Sequence, residues 1–180
     1  MTNAVPDLSY RRAGLDDVAA ITAMVNASYR GNDATAGWTT EAHLLKGRRT
    51  DENGIVALIE APNSLILLCL REGEMVGSVH LQKSEGGVGY LGMFVVRPGL
   101  QGEGIGRRFM WAAEDTARAL WGVTRMSMTV ISLRHELIAY YQRRGYRLTG
   151  EIVPFPFEDG LSDALVDGIE LAVMEKTLEG

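Results

Sequence analysis

The chain has 180 residues, a length typical of one domain, and 46% of them are hydrophobic, which is enough for a sizeable buried core. Its 18 basic and 23 acidic residues are intermixed and give a net charge of -5, which does not favour a nucleic-acid partner and fits a positively charged small substrate better. No apolar run has the length that spans a bilayer, and the N-terminus lacks the pattern of a secretory signal. The single cysteine, Cys69, lies in an apolar run. We therefore expect a soluble, cytoplasmic protein with no membrane partner and one domain over residues 1–180.

The first part of the chain predicts a strand followed by two helices. The strand is "LSYRRA", and "GLDDVAAITAMVNASYR" then carries apolar residues at helical spacing, namely Leu15, Val18, Ile21, Met24 and Val25. After the glycine-broken loop "GNDATAGW", Thr40 is placed to cap a short helix over "EAHLLKGR". His43 stands where a capping box has glutamate or glutamine, which weakens that assignment.

The rest of the chain alternates strands with helices. "SLILLCLREGEMVGSVHLQKSEGGVGYLGMFVVRP" contains three β-rich runs separated by turn signals, which predicts an antiparallel meander. A helix in "IGRRFMWAAEDTARALWG", a strand in "RMSMTVI", a helix ended by Gly145 and a final pair of strands follow. The apolar face of the first of these helices is formed by Phe109, Ala112, Ala113, Ala117 and Leu120. The order of elements predicts a mixed α/β domain.

A glycine-rich loop, "VVRPGLQGEGIGRRF", joins the third strand of the meander to the next helix. Arg107 stands where the dinucleotide-binding fingerprint has its third glycine, and the chain contains no Gly-Lys-Ser/Thr for a nucleoside-triphosphate loop. The backbone N–H groups of residues 102–106 remain able to bind an anion at a helix N-terminus, with Arg107 and Arg108 adding charge. The pattern therefore favours a pyrophosphate that is held but not cleaved, and the alternative is a turn that only links strand to helix.

Two segments resemble motifs of the GNAT superfamily of acyl-CoA-dependent N-acyltransferases. Residues 101–106, "QGEGIG", follow Val96-Arg97-Pro98 and are similar to the family signature Gln/Arg-x-x-Gly-x-Gly/Ala. "AYYQRRGY" is similar to the helix-to-strand segment in which a tyrosine precedes a glycine-aromatic pair, here Tyr141 before Gly145 and Tyr146. The resemblance implies a mixed, mostly antiparallel central sheet flanked by helices, with splayed central strands. It also implies transfer of an acetyl group from acetyl-CoA to a primary amine by direct attack in a ternary complex.

The resemblance further implies roles for individual residues. Tyr141 would donate a proton to the departing thiolate, unless it is simply a core aromatic residue, and a backbone N–H near Phe94 or Val95 would stabilise the oxyanion. Ser132 is a substitute for the asparagine that the family often has at the position of Arg134, although a helix N-cap explains Ser132 equally well. The implied coenzyme-binding residues are Phe94, Val95, Val96, Gln101, Gly102, Glu103, Gly104, Ile105, Gly106, Arg107 and Ser132.

The sequence identifies no general base. Many family members carry a carboxylate on the strand before the loop, but Gly92 stands at that position here. The candidates Glu41, Glu85, Glu151 and Glu158 cannot be separated, and an exposed role suits each of them better. His43, His80 and His135 have no metal-ligand spacing and are interpreted as surface or hydrogen-bonded side chains, so we expect no metal; His80 differs in lying on a predicted central strand.

Two loops are expected to select the acceptor. Aromatic and acidic residues in "GNDATAGWTTEAH" and "VPFPFEDGLSD" favour a cationic amine, although solvated loop acidity explains the carboxylates equally well; the residues are Trp38, Glu41, Phe155, Phe157, Glu158 and Asp159. The acceptor is a small molecule, an amino acid or a peptide, and apolar C-terminal strands suggest a homodimer. The alternative function, kept open by Gly92, is a non-catalytic acyl-CoA-binding or sensing module on the same fold.

Overall fold

The computed structural model describes residues 7–30, 44–97, 100, 104–156, 162–164 and 168–179. The helices there are α1 (Val18–Arg30), α2 (Glu52–Glu60), α3 (Ile105–Trp121) and α4 (His135–Arg143), with 3-10 turns at Leu15–Asp17 and Glu85–Gly87. The strands are β1 (Leu8–Arg12), β2 (Leu45–Gly47), β3 (Ser64–Arg71), β4 (Glu74–Lys83), β5 (Val88–Val96), β6 (Arg125–Ile131), β7 (Arg147–Pro154), β8 (Ser162–Ala164) and β9 (Glu170–Thr177).

Seven of these strands form one sheet in the order β1-β3-β4-β5-β6-β9-β7, and β2 pairs with β8 in a separate two-stranded sheet. Within the seven-stranded sheet the β5–β6 pair is parallel, and the remaining pairs are antiparallel. The α3 helix supplies the long crossover that a parallel pair requires. The predicted mixed, mostly antiparallel sheet is confirmed.

The two central strands, β5 and β6, separate along their length. Their pairing runs from Val88–Arg125 to Tyr90–Ser127, although β5 continues to Val96 and β6 to Ile131. On its other side β5 carries a bulge: Ser78 and His80 of β4 pair with Val95 and Gly92, so one intervening residue of β4 stands opposite two of β5. Met93, inside the bulge, has a φ of 46°. The predicted splay of the central strands is thus confirmed, and a bulge bends β5 where the splay begins.

The core has two layers, one on each face of the sheet. On β3, Leu65, Leu67 and Cys69 contribute to the layer beneath α3 and α4, whereas Ile66 and Leu68 contribute to the layer beneath α1 and α2. Successive strand residues point to opposite faces, so a strand covered on both faces must be apolar throughout. This explains the uninterrupted apolar run "SLILLCLR".

Three details of the sequence-based prediction are wrong. No helix covers the described part of "EAHLLKGR", where Leu45–Gly47 forms β2; Thr40 and His43 lie outside the described residues. The second helix instead begins after Asp51, whose carboxylate accepts a 2.8 Å hydrogen bond from the Gly54 N–H. Leu15, in a 3-10 turn, and Leu120, near the end of α3, are each 55% exposed rather than part of the core.

The two sheet edges are β1 and β7. Strand β7 is exposed over most of its length, and Leu148 and Ile152 are about half-exposed there. Association of two copies through apolar C-terminal strands stays a prediction. Among the described helices, none has both the length and the apolar character needed to cross a membrane.

Candidate active site

A cavity of about 360 Å³ opens where β5 and β6 diverge. Residues 90–94 of β5 form one wall and residues 128–131 of β6 form another. Tyr141 of α4, Phe155 and the segment 49–51 before α2 complete much of the lining. The cavity therefore lies where a sheet would otherwise be continuous, with backbone of two strands facing it.

Tyr141 is buried, with 6% of its surface exposed, and it lines this cavity. Its ring makes edge contacts with Tyr140 and Tyr146, at centroid distances of 5.5 and 6.2 Å. Tyr140 lies elsewhere: its hydroxyl oxygen is 2.7 Å from where a Cβ on Gly106 would stand. The lack of a side chain at Gly106 thus makes room for Tyr140, a reason for glycine that the loop motif alone does not reveal.

The chain after α4 is fixed by a buried polar network. The Tyr146 hydroxyl donates a 2.7 Å hydrogen bond to one carboxylate oxygen of Glu114, and Lys176 Nζ lies 2.9 Å from the other. Burial, together with the Glu114 carboxylate, raises the pKa of Tyr146 well above its ordinary value. Tyr146 is therefore a neutral hydrogen-bond donor that ties the end of α4 to α3 and β9, which holds Tyr141 in place.

The β5 residues proposed from the sequence divide between the two faces of the strand. Phe94 and Val96 belong to the core layer under α3, and the Phe94 ring lies 5.4 Å from that of Phe109, whereas Val95 belongs to the layer under α1 and α2. The carbonyl oxygen of Phe94 accepts a 3.1 Å hydrogen bond from the Tyr29 hydroxyl.

The glycine-rich loop is described from Gly104 onward; Gln101, Gly102 and Glu103 lie outside the described residues. Gly104 has a φ of 77° and is the N-cap of α3, and it makes no side-chain cap. Ile105 is buried, Gly106 is half-buried and Arg107 is exposed, and the first turn of α3 contains no acidic residue. The first backbone N–H groups of this 17-residue helix therefore lack side-chain caps, and with the helix dipole they make its N-terminus favourable for an anion.

Ser132 and Arg134 lie in the turn between β6 and α4. The Ser132 N–H donates a 2.8 Å hydrogen bond to the Glu170 carbonyl, and its side chain is half-buried. Arg134, not Ser132, holds the N-cap position of α4, so the capping explanation for Ser132 is wrong. Neither residue lines the cavity between β5 and β6.

Phe155 is the acceptor-loop residue that the structure brings to the cavity. Trp38, Glu41, Phe157, Glu158 and Asp159 lie outside the described residues. Of the other suggested bases, Glu85 is exposed in a 3-10 turn and Glu151 is exposed on β7, and neither lines the cavity. Within the described lining the one carboxylate is that of Asp51, which already caps α2.

Several lining residues are not among those the sequence selected for the site, and His80 and Arg49 are two of them. His80 is buried, its Nε2 lies 2.9 Å from Ser64 Oγ, and its ring makes an edge contact with that of Tyr90 at 6.0 Å. Arg49 lies with its guanidinium carbon 5.5 Å from the centre of the Tyr29 ring. The central-strand position of His80 was a sequence signal for it, whereas Arg49, within "GRRTD", gave none.

Burial lowers the pKa of His80 from 6.5 to about 4, and the positive charge of Arg49 acts in the same direction. Since the folded-state pKa lies below the ordinary value, the unfolded chain binds more protons between these two pH values. Stability from this residue is thus complete above pH 6.5 and is lost as the pH falls toward 4.

We therefore expect the free energy of unfolding to fall between pH 6.5 and pH 4, with His80 contributing at most about 3 kcal/mol of that fall. Denaturant titrations of the wild type and His80→Gln across this range measure it. In the variant, the free energy of unfolding should fall less steeply with decreasing pH. Identical pH dependences in the two proteins would contradict the lowered pKa of His80. Asp17, whose pKa is lowered to about 2 by Arg11, titrates below this interval.

Known proteins share this architecture. The Acetyltransferase (GNAT) family profile matches residues 20–146. A curated relative, the aminoalkylphosphonate N-acetyltransferase of Salmonella typhimurium, is 32% identical over 101 residues, which is 53% of this chain and 64% of the relative, so the match spans less than two thirds of the relative's length.

Solved structures agree in fold over nearly the whole chain. The ribosomal-protein-S18-alanine N-acetyltransferase from Escherichia coli aligns with a TM-score of 0.65 at 16% identity, covering 97% of each chain. The ribosomal-protein-alanine N-acetyltransferase from Brucella melitensis aligns with a TM-score of 0.67 at 21% identity, covering 94% of this chain and 99% of that one. A spermidine N-acetyltransferase chimera derived partly from Vibrio cholerae gives 0.67 at 13% identity, covering 94% and 95%. With a family profile that matches most of its length, the chain belongs to the acetyltransferase (GNAT) family of acyltransferase enzymes.

Proposed function

We propose that this protein transfers the acetyl group of acetyl-CoA to the primary amine of a small molecule by direct attack in a ternary complex. The observation that supports it best is the cavity between the diverging strands β5 and β6, with the Tyr141 side chain in its wall. Membership of the acetyltransferase (GNAT) family supports the same reaction class.

The described residues fit acetyl-CoA in two places. Residues 91–95 of β5 have no pairing with β6, so the backbone around Phe94 can take an extended, amide-bearing arm as an added strand, and we keep Val96 as a second partner on the resemblance. The N-terminus of α3, at Gly104–Arg107, has the uncapped N–H groups and the dipole that suit a pyrophosphate. We extend the second site to Gln101, Gly102 and Glu103 on the loop motif, and we keep Ser132 as a coenzyme contact on the resemblance.

Acetyl-CoA supplies the acetyl group as a thioester. The neutral amine nitrogen forms a bond to the carbonyl carbon, and a backbone N–H of Phe94 or Val95 donates a hydrogen bond to the oxygen on which negative charge develops. When the carbon–sulfur bond breaks, the Tyr141 hydroxyl donates its proton to the sulfur. The burial of Tyr141 in the cavity wall supports this role, since a donor there is shielded from competing water.

The described lining also bears on the acceptor. The Arg49 guanidinium makes no salt bridge to a carboxylate of the described chain, and it lies beside the Tyr29 ring. A cation in the cavity favours an acceptor that carries an anionic group beside its amine. The named substrate of the curated relative, an aminoalkylphosphonate, has that chemistry. This departs from the cationic amine expected from the acceptor loops, most of whose residues lie outside the described part of the chain.

Release of free thiol from acetyl-CoA tests the proposal on a panel of amines. We expect turnover with an aminoalkylphosphonate or an amino acid to exceed turnover with spermidine or with a peptide that begins with alanine. Arg49→Gln should raise KM for the anionic acceptor about tenfold, since a hydrogen bond to a charged group is worth about 1.5 to 3 kcal/mol, while Arg48→Gln at the neighbouring position should not. Thermal stabilisation by coenzyme A without thiol release for any amine would instead indicate a non-catalytic acyl-CoA-binding module.

Replacing Tyr141 by phenylalanine should lower kcat about 100-fold, because proton donation to the thiolate is lost, and should leave the affinity for coenzyme A nearly unchanged. Steady-state kinetics and coenzyme A titrations measure the two effects. Tyr10→Phe is a matched control, since Tyr10 stacks on Phe109 and does not line the cavity. An unaltered kcat in Tyr141→Phe would leave Tyr141 as a core aromatic residue.

Gly104 and Gly122 cap the two ends of α3 in the left-handed region, with φ of 77° and 64°, and a Cβ at either would meet no atom within 4 Å. Leucine at either position should therefore destabilise the fold similarly, by about 1 to 2 kcal/mol. We expect Gly104→Leu, but not Gly122→Leu, to abolish thermal stabilisation by coenzyme A, because its side chain blocks approach to the backbone. Retained coenzyme binding in Gly104→Leu would remove the loop from the coenzyme site.

A further inference from the structure

The hydrogen bonds of Ser64 fix which ring nitrogen of His80 carries the proton. Ser64 Oγ has one hydrogen, and it donates that hydrogen to the Leu58 carbonyl at 2.6 Å. In its 2.9 Å contact with His80 Nε2, Ser64 Oγ must therefore be the acceptor, and Nε2–H is the donor. A neutral imidazole carries one N–H, so Nδ1 of His80 holds a lone pair that can accept.

That lone pair is accessible from the cavity. His80 lines the cavity, and Nδ1 makes no hydrogen bond within the described part of the chain. Nδ1 is also not one of the enclosed side-chain atoms without a partner, which among the described residues are Ser28 Oγ and Arg144 Nε. An acceptor that is unpaired but not enclosed opens onto the space beside it, and here that space is the cavity.

The position of His80 in the sheet relates it to the absent carboxylate. His80 of β4 pairs directly with Gly92 of β5, the position to which the family resemblance assigns a carboxylate. Residues directly opposite each other on an antiparallel pair project to the same face. A Cβ on Gly92 would lie 2.7 Å from Cε1 of the Tyr90 ring, so a carboxylate does not fit beside this tyrosine. The imidazole of His80 occupies the face that a side chain at position 92 would occupy.

We propose that His80 Nδ1 accepts the proton that the acceptor amine loses as its nitrogen bonds to the acetyl carbon; this rests on the proposed function. The N–H bond breaks with its electron pair kept by nitrogen, and the proton bonds to Nδ1, giving an imidazolium whose Nε2–H stays on Ser64. Tyr141 gives its own proton to the sulfur. The net result is transfer of one proton from amine to thiol, completed when His80 releases and Tyr141 recovers a proton through water.

Burial and the nearby Arg49 keep His80 neutral before the reaction, and several titratable groups share its cavity. Arg49 and Asp51 face the cavity from the segment before α2, Tyr90 from β5, Tyr29 from α1 and Tyr141 from α4. Burial and the Arg49 charge lower the pKa of His80 to about 4, so Nδ1 is unprotonated at neutral pH and able to accept.

Two amide variants separate proton acceptance from a structural role. In His80→Gln the amide nitrogen reaches the position of Nε2 and keeps the hydrogen bond to Ser64, but no acceptor remains at Nδ1. In His80→Asn the amide oxygen lies near Nδ1 and accepts a hydrogen bond without taking the proton, and the bond to Ser64 is lost. We expect both variants to lose at least about 100-fold in kcat, with unchanged KM for acetyl-CoA, and His80→Asn alone to melt at a lower temperature.

Free imidazole supplies an independent readout. In His80→Ala, turnover should rise with added imidazole, because the base can enter the vacated space; a purely structural histidine would give no such rescue. If the wild type releases thiol and His80→Gln retains kcat within twofold, His80 is not the proton acceptor, although the proposed function survives. If the wild type releases no thiol with any amine, the proposed function fails and this inference fails with it.

Discussion

The end of pairing between β5 and β6 at Tyr90 and Ser127 is the constraint on which the site depends. Beyond that point a sheet that is otherwise continuous offers unpaired strand backbone to a cavity, and unpaired buried backbone is costly unless something satisfies it. The bulge at Met93 produces the bend, and the Tyr29 hydroxyl already satisfies one of the carbonyl groups, that of Phe94. On the β5 side the divergence is therefore fixed by the bulge and by a contact from α1.

The helices position different parts of the cavity between β5 and β6. The α3 helix fills the long parallel crossover and presents its N-terminus, while its interior anchors Tyr146 through Glu114. The α4 helix, fixed at its end by that anchor, supplies Tyr141 to the wall. The segment before α2 supplies Arg49 and Asp51, and the Asn26 side chain of α1 accepts hydrogen bonds from the backbone N–H groups of Arg49 and Thr50 at 2.7 and 3.0 Å. Tyr141 and Arg49 are thus each positioned by contacts made outside the cavity.

Much of the fold and part of the site could be predicted from the sequence, because they depend on local residue patterns. Alternating apolar runs and turn signals predicted the meander, and the glycine loop predicted the N-terminus of α3. Each of these predictions depends only on residues that are close together in the sequence. The sequence did not predict the helix at 52–60, because Gly54 interrupts its apolar pattern and Thr40 offered a competing N-cap. The side-chain hydrogen bond of His80 to Ser64 and its strand pairing with Gly92 join residues on three strands. The position of Arg49 depends on Asn26, 23 residues away. Such contacts exist only once strand register is set, so no local pattern predicts them.

The burial of Cys69 has a consequence for redox chemistry. The proposed reaction produces a free thiol, and a protein cysteine exposed to such a product and to air can form a mixed disulfide with it. Cys69 is the one cysteine of the sequence, it lies in the layer beneath α3 and α4, and burial raises the pKa of its thiol to about 11. Because the thiolate is the species that exchanges, and this one is both scarce at neutral pH and enclosed, Cys69 is protected from exchange with the thiol that the proposed reaction would release.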